Sequence, residues 1–466
     1  MREAIIDLLK NWHKQVKTRD DLSEAKRRIS TKYKISSLLN SQILDVYREL
    51  TDKGQLPRGF DKNLWDFLLR KRSIRTLSGI APVAVLTKPY PCPGNCAYCP
   101  NIPNVPVSYL PNEPAVMRAL ACSFDPYKQT VLRLNSLENN GHRPNKIELI
   151  VIGGTWSYLP DRYQYWYILN CFRAANDFAK LQQDKTIKSQ LESADNSKAQ
   201  ILKSILGKLK TPYPKNLSLA DLKKSLKAEQ TKNEKTEYKI IGITLETRPD
   251  YINEKELWQM RELGCTRVEI GVQAPDDEIL KLNKRGHNVA EIARATAELR
   301  DFGFKVTYHI MPALPGSTPK RDLEMFKMLF TDERFQPDQI KFYPTVVTEG
   351  SLLYRWWKAG KYQPYSDEEL EQLIIDCKAV VPKYVRIIRL IRDIPGESIL
   401  AGNKITNLRQ VMQQKGVKCN CIRCRESKEI SYVKDFKINI EEYAAADGIE
   451  YFISADSSDD KTLYGF

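Results

Sequence analysis

From residue 81 onward, apolar runs of five or six residues recur at 83–87, 147–152, 240–245, 268–272, 305–310 and 339–343. Between them lie longer stretches with helical apolar spacing, at 112–138, 163–179, 254–263, 289–302 and 320–330. This alternation is the tightest constraint on the fold. Strands separated by a helical crossover pair in parallel, and strands apolar throughout are buried on both faces. Six strand–helix units predict a parallel α/β sheet covered by helices, a partial (β/α)6 barrel rather than a closed ring of eight. The site should then gather where strands end and loops begin.

The flanks differ from this core. Residues 1–78 read as a basic helical domain: 18 Lys and Arg stand against 10 Asp and Glu within residues 1–80, roughly half of the whole chain's formal charge of +15. Such a surplus attracts a polyanion, and a merely solvated basic surface is the competing reading. The barrel unit is expected over 79–380, interrupted by a Lys-rich insertion at 183–237 that is either a further nucleic-acid contact or a solvated lobe. A basic linker follows over 381–430, where the spacing of Arg386, Arg389 and Arg392 fits neither one helix face nor one strand face. Within 431–466, strands are expected at 432–440 and 450–454, and 463–466 opens another that would leave an exposed edge. No run of residues is apolar enough to span a bilayer, and Arg2, Glu3, Asp7 and Lys10 break any signal-peptide pattern. Ten cysteines without such a signal suit reduced thiols or metal ligands in a cytoplasmic setting.

Three of those cysteines, Cys92, Cys96 and Cys99, follow the first strand with C-x3-C-x2-C spacing. One short loop can thereby hold three irons of a [4Fe–4S] cluster and leave the fourth free to chelate S-adenosylmethionine (SAM) for reductive cleavage. A zinc knuckle, disulfides and buried free thiols are the alternatives; none of the four histidines lies in the loop to complete a zinc site. Gly153, Gly154 and Thr155 follow the second strand, where bare backbone either approaches the methionyl end of SAM or makes a tight turn. Glu246, Gln273 and His309 end later strands. Glu246 is either a SAM ligand or the partner of Arg248, and His309 is either a site residue or a core histidine. Lys284 and Arg285 beside Gly286 suit phosphate, as do many surface clusters. Cys419, Cys421 and Cys424, spaced C-x-C-x2-C, favour zinc over unliganded thiols.

Together these residues resemble the catalytic subunit of Elongator, a radical-SAM tRNA carboxymethyluridine synthase. The matching stretches are LTKP at 86–89, EPAVMRA at 113–119, KIELIVIGGT at 146–155, ITLETRPD at 243–250, LNKRGH at 282–287, KVTYHIMPALPGST at 305–318, DIP at 393–395, AGN at 401–403, NLRQ at 407–410 and both cysteine clusters. The resemblance covers nearly the whole chain. It implies a radical-SAM barrel joined to a zinc-binding loop and a GNAT-like acetyltransferase domain. It also implies an acyltransferase-class reaction in which a carbon radical made from acetyl-CoA adds to the wobble uridine and hydrolysis leaves 5-carboxymethyluridine. Cys92, Cys96 and Cys99 would hold the cluster, and Lys146 matches a lysine used on acetyl-CoA. Cys419, Cys421 and Cys424 match the zinc loop. The N-terminal domain, with Arg386, Arg389, Arg392 and Arg409, would grip the anticodon stem-loop.

Two departures accompany the likeness. Relatives place more residues between the first two cluster cysteines. The stretch 443–466 resembles only the first strands of the acetyltransferase domain, without a pyrophosphate-binding loop. The expectation is an acetyltransferase portion cut short. The alternative function is therefore a tRNA-binding radical-SAM protein that does not turn over acetyl-CoA, uses another donor, or relies on a separate acetyltransferase chain. Other Elongator-like subunits or a second copy of the chain are further partners to consider; a membrane is not.

Overall fold

A computed structural model describes residues 1–71, 76, 78–184, 207, 209–405, 407–427 and 435–466. Four helices open the chain: α1 (Arg2–Asn11), α2 (Arg19–Lys32), α3 (Asn40–Asp52) and α4 (Lys62–Leu69). Local chemistry sets their starts. Thr18 and Asp21 form a reciprocal capping box on α2, and the Asp61 carboxylate caps α4 through the Leu64 amide. Their apolar faces close on one another around Leu8, Ile29, Ile43, Tyr47 and Trp65, a cluster separate from the main core.

The main sheet contains β1 (Ala81–Leu86), β2 (Lys146–Ile152), β3 (Lys239–Thr247), β4 (Arg267–Gln273), β5 (Lys305–Ile310), β6 (Gln339–Phe342) and β7 (Arg386–Arg389). All pairs are parallel and the order is sequential, β1 to β7. The six expected strands are β1 to β6 of this half-barrel. β7 extends it, and resolves the ambiguous arginine spacing: Arg386 and Arg389 bracket a four-residue strand whose Ile387 is buried beside Ile340.

Crossovers are made by α5 (Pro114–Ala121), α6 (Pro126–Asn139), α7 (Asp161–Gln183), α8 (Leu219–Asn233), α9 (Glu254–Glu262), α10 (Asp277–Leu282), α11 (Val289–Asp301), α12 (Pro319–Thr331), α13 (Leu352–Lys358) and α14 (Asp367–Ala379). The single helix expected over 112–138 is two. Ser123 and Phe124 take positive φ (51° and 57°), and the Asp125 side chain caps the new start at Pro126, whose nitrogen has no proton to continue a helix. Of the Lys-rich insertion, 185–206 and 208 lie outside the described residues; α8 packs the rest onto α7 through Leu222 and Leu226.

Strand alternation divides the sheet's two faces. Leu245, Val268, Val306 and Ile340, all buried, face the helices, each side chain contributing about 1.5–3 kcal/mol by leaving water. The register places Glu246, Glu269, Thr307 and Gln339 side by side on the other face, with His309 and Lys341 paired one step further. Strands of a parallel sheet are ordinarily apolar on both faces. A buried charged row here marks the inner face as a working surface.

After β7 come α15 (Leu408–Gln414) and α16 (Ile422–Arg425), then an antiparallel sheet of β8 (Lys437–Ala445), β9 (Gly448–Asp456) and β10 (Leu463–Gly465) in the order β10-β9-β8. Ala446 and Asp447, at φ 49° and 64°, make the two-residue hairpin turn. The expected strand at 432–440 begins at Lys437 in the structure; residues 432–434 lie outside the described set. The expectation that 463–466 opens without a partner is corrected: β10 pairs with β9, and Leu463 also bridges Glu426. One face of this sheet docks on the half-barrel. Tyr443 stacks on Tyr384 with centroids 3.8 Å apart, Glu450 meets Arg300 at 2.7 Å and Asp456 meets Arg425 at 2.5 Å. The outer face carries Ile438, Ile440, Ile449, Tyr451 and Ile453, each 55–65 % exposed.

Candidate active site

The loop after β1 is pinned at its centre. The Ala97 amide donates to Asn283 O (3.0 Å), and the Ala97 carbonyl accepts from the Leu353 amide (2.7 Å). This holds Cys96 buried, with Cys92 and Cys99 partly exposed, and all three thiols are free. Cys96 Sγ faces two guanidiniums, Arg285 Nη1 at 3.3 Å and Arg248 Nη1 at 3.9 Å, while Cys92 Sγ accepts from the Gly94 amide at 3.4 Å. A hydrogen bond from Cys99 and the charges of Arg285 and Arg248 outweigh burial and hold the Cys96 thiol well below its usual range; Cys99 is raised correspondingly. The donor set is therefore three soft sulfurs, one already disposed to be a thiolate. A single ion needs sulfurs within about 4.6 Å, twice a zinc–sulfur bond. The sulfurs of Cys419, Cys421 and Cys424 lie within 4.8 Å of one another. Three thiols on one short loop are the donor set that a [4Fe–4S] cluster takes when one iron is left without a protein ligand.

Beside this loop, Gly153 and Gly154 follow β2 with φ of 135° and 107°. A Cβ on Gly153 would lie 2.1 Å from Thr87 Oγ1, whereas Gly154 opens onto free space, its backbone bare to a ligand. Thr155 starts the turn that leads to α7. Gln273 ends β4 at φ 69°, with a buried Oε1 that has no partner. Glu246 is not the partner of Arg248: it accepts from Tyr109 Oη (3.1 Å) and Lys341 Nζ (3.4 Å), while Arg248 pairs with Asp250 at 2.8 Å. His309 is neither isolated nor a plain core residue. Its Nε2 lies 2.8 Å from Glu269 Oε2, which also holds Lys341. Burial pushes Glu269 up, but Lys341, His309 and Arg267 hold it far below the carboxylate range. Glu246, Glu269 and His309 gather closely enough for a metal ion, yet the Lys341 ammonium already supplies the cation there.

Several of these partners were not singled out from sequence. Glu269 and Lys341 were each visible as a charge inside an apolar strand, Val268-Glu269-Ile270 and Ile340-Lys341-Phe342. Only the register shows that they meet. Arg285 is a correction: it does not reach solvent for phosphate contact but is 7 % exposed and turned inward. Arg392 lies over the Tyr109 ring and donates to Ser108 Oγ (2.9 Å) and Glu113 Oε1 (3.3 Å). Arg386 pairs with Glu426 at 2.8 Å, Arg389 with Asp393, and Arg409 donates to Ile387 O at 2.7 Å. The four expected tRNA arginines thus brace β7 and its surroundings; Lys284 remains exposed. Lys146 is exposed at the first residue of β2, the opposite end of that strand from Gly153.

The second cysteine loop sits against β7, with the Ile422 amide donating to Val385 O at 2.9 Å and Arg409 Nη1 lying 3.8 Å from Cys424 Sγ. Hydrogen bonds from Cys419 and Cys424 pull the buried Cys421 thiol down. Three soft sulfurs within single-ion reach fit zinc, with a fourth ligand still to be supplied.

Residues 90–329 match the Radical SAM superfamily model, and 337–416 the Radical_SAM C-terminal domain. The chain is 41 % identical over 402 residues to the tRNA uridine(34) acetyltransferase of Dehalococcoides mccartyi, covering 85 % of this chain and 78 % of that one. It is 40 % identical over 444 residues to the Methanocaldococcus infernus protein of the same name (92 % and 73 % covered). Identity to Elongator complex protein 3 of Homo sapiens is 33 % over 465 residues (96 % and 76 %). Among solved structures, the chain is similar to archaeal Methanocaldococcus infernus Elp3 with an N-terminal deletion, with a TM-score of 0.63 at 36 % identity over 83 % of this chain and 76 % of that one. Among the described residues, no helix is long and apolar enough to cross a membrane.

Proposed function

The chain belongs to the radical SAM superfamily and, within it, to the family of the tRNA uridine(34) acetyltransferases and Elongator complex protein 3, and on that premise we propose that it is a tRNA-modifying enzyme. Its reaction would be SAM-dependent formation of 5-carboxymethyluridine at the wobble position, with acetyl-CoA as the acetyl source. The observation that carries this reading is a convergence at strand ends: three free thiols after β1, bare glycine backbone after β2 and the partnerless Gln273 Oε1 at the end of β4. When bound, a [4Fe–4S] cluster and SAM would supply the one-electron reductive chemistry that starts radical hydrogen abstraction.

Cys92, Cys96 and Cys99 would ligate three irons. Gly153, Gly154, Thr155 and Gln273 would hold the methionyl end of SAM, with Glu246 and His309 as polar contacts on the inner face. The Glu269–Lys341 pair keeps that face ordered and charged without solvent. Cys419, Cys421 and Cys424 would bind zinc and tie β7 to the C-terminal sheet. Lys146 would contact acetyl-CoA. Lys284 and the basic helices α1 to α4 would meet the anticodon stem-loop, with Arg386, Arg389, Arg392 and Arg409 shaping the surface behind it. A net charge of +15 supports an affinity for tRNA that falls steeply with salt. Ten free cysteines suit a reducing, cytoplasmic home.

Anaerobic reconstitution with iron and sulfide, followed by dithionite and SAM, should yield 5′-deoxyadenosine. Cys99→Ala should abolish that product and leave tRNA retention on a gel unchanged. Loss of both together would overturn the reading, since the loop would then be structural.

A second reading is favoured by the apolar outer face of β8 to β10. Five exposed aliphatic and aromatic side chains on one sheet suit a covering polypeptide layer, so acetyl-CoA would be held by a separate acetyltransferase chain packed there. Acetyl-CoA hydrolysis dependent on tRNA separates the two: its presence with this chain alone supports the first reading.

A further inference from the structure

Arg285 is buried without a carboxylate. Its Nε and Nη2 donate to one backbone oxygen, Gly271 O, at 3.2 and 2.6 Å, and its Nη1 points at Cys96 Sγ at 3.3 Å. Among the described residues it makes no ion pair. A guanidinium at 7 % exposure with no counter-charge is expensive to keep. The soft acceptor nearest to it is Cys96 Sγ, on the cysteine loop. Arg248 approaches the same sulfur at 3.9 Å, and is itself locked by the Asp250 carboxylate and by Arg285 O at 2.7 Å.

The space for both was made by removing side chains elsewhere. A Cβ on Gly271 would lie 2.3 Å from Arg285 Nη2, and one on Gly94 would lie 2.2 Å from Arg248 Nη1. Two glycines on separate segments thus admit two cations to one thiol. Both side chains are buried, which sets them apart from a surface cluster.

We propose that Arg285 and Arg248 are positioning residues that fix the Cys96 thiolate and raise the reduction potential of the cluster it holds. The inference rests on the cluster-binding reading of Cys92, Cys96 and Cys99. Reduction adds one electron from an external low-potential one-electron donor, breaks no bond and makes the site more negative. Fixed positive charge and N–H donors at a ligating sulfur favour that reduced state. Arginine serves here because it cannot lose its proton, so its charge persists across the working pH range.

The test is redox potentiometry of the reconstituted full chain, without tRNA or acetyl-CoA, following the reduced cluster by electron paramagnetic resonance. At a fixed solution potential, Arg285→Met is expected to lower the reduced-to-oxidised ratio at least tenfold, a shift of about 59 mV for a one-electron couple, with iron per chain unchanged. Arg285→Lys should recover part of the shift. An unchanged potential at normal iron content overturns the proposal. Should Arg285→Met fail to load iron, Arg248→Met decides: a smaller shift of the same sign supports the proposal, and none overturns it. Failure of the unaltered chain to take up iron would instead sink the cluster-binding reading itself.

Discussion

His287 lies behind the two guanidiniums, its side chain fully enclosed and its Nδ1 3.8 Å from Asp250 Oδ1. Burial, reinforced by Arg285 and Arg248, pushes its pKa down to about 2. The ring is therefore neutral in the fold across the working range, but takes up a proton below about pH 6.5 once the chain unfolds. The unfolded state then binds more protons, so the stability contributed by this group is complete above pH 6.5 and drains away as pH falls. Urea unfolding at pH 7.5 and 5.5 should find that His287→Asn loses roughly 1 kcal/mol less than the unaltered chain on acidification; equal losses would refute it. At this scale spacing singles out the three cysteines, whereas Gly153-Gly154 stands out only by its place one strand after them. The sequence reading misjudged Arg285, because Lys284-Arg285-Gly286-His287 alternates exposed and buried positions in a way no local pattern announces. The pocket that turns Arg285 inward is created by Gly271, a residue fourteen positions earlier.

Helix α10 carries the chain into that turn, and its start depends on one side chain. Asp276 Oδ1 accepts from the Glu278 and Ile279 amides at 3.0 and 3.1 Å, while its Oδ2 accepts from Arg321 of α12 at 2.6 Å. Asp276→Ala removes both a cap and a charge-assisted clamp. The expected cost is about 1–2 kcal/mol, read as faster hydrogen exchange at Leu280 and Asn283. Unaltered exchange there would show that the cap is dispensable. The strands of the half-barrel were legible to within two residues at nearly every end, since continuous apolar runs leave little choice of partner. β7 was not, because its outer residues are arginines and only Ile387 is inserted in the core. The break between α5 and α6 was readable in principle from Asp125-Pro126, but a helix-compatible apolar pattern ran across it.

Over the whole molecule, the second cysteine loop is a joint. Arg425, within it, donates to Asn420 O and Lys383 O and pairs with Asp456, so it ties β7 to the C-terminal sheet. Metal binding at such a joint couples to folding. Elemental analysis of the unaltered chain should find zinc, and Cys421→Ser should abolish it and lower the thermal midpoint, leaving iron uptake at the first loop intact. Retention of zinc would assign the metal to other ligands. The zinc reading came from cysteine density alone; the docking of β8 to β10 through Tyr443, Glu450 and Asp456 could not, since those contacts span up to 150 positions.

The sequential strand order also sets a timetable. Each strand of the half-barrel after β1 meets a neighbour that left the ribosome before it, so the sheet can grow from one edge as it is made. The cysteine loop follows the first strand, whereas Arg285 is 189 residues behind Cys96. At 5–20 residues per second, about 10 to 40 s separate their emergence. Until Arg248 follows, 152 residues after Cys96, the three thiols are present with neither guanidinium in place. The nascent chain thus exposes its three cysteines before the architecture that encloses them has been synthesised.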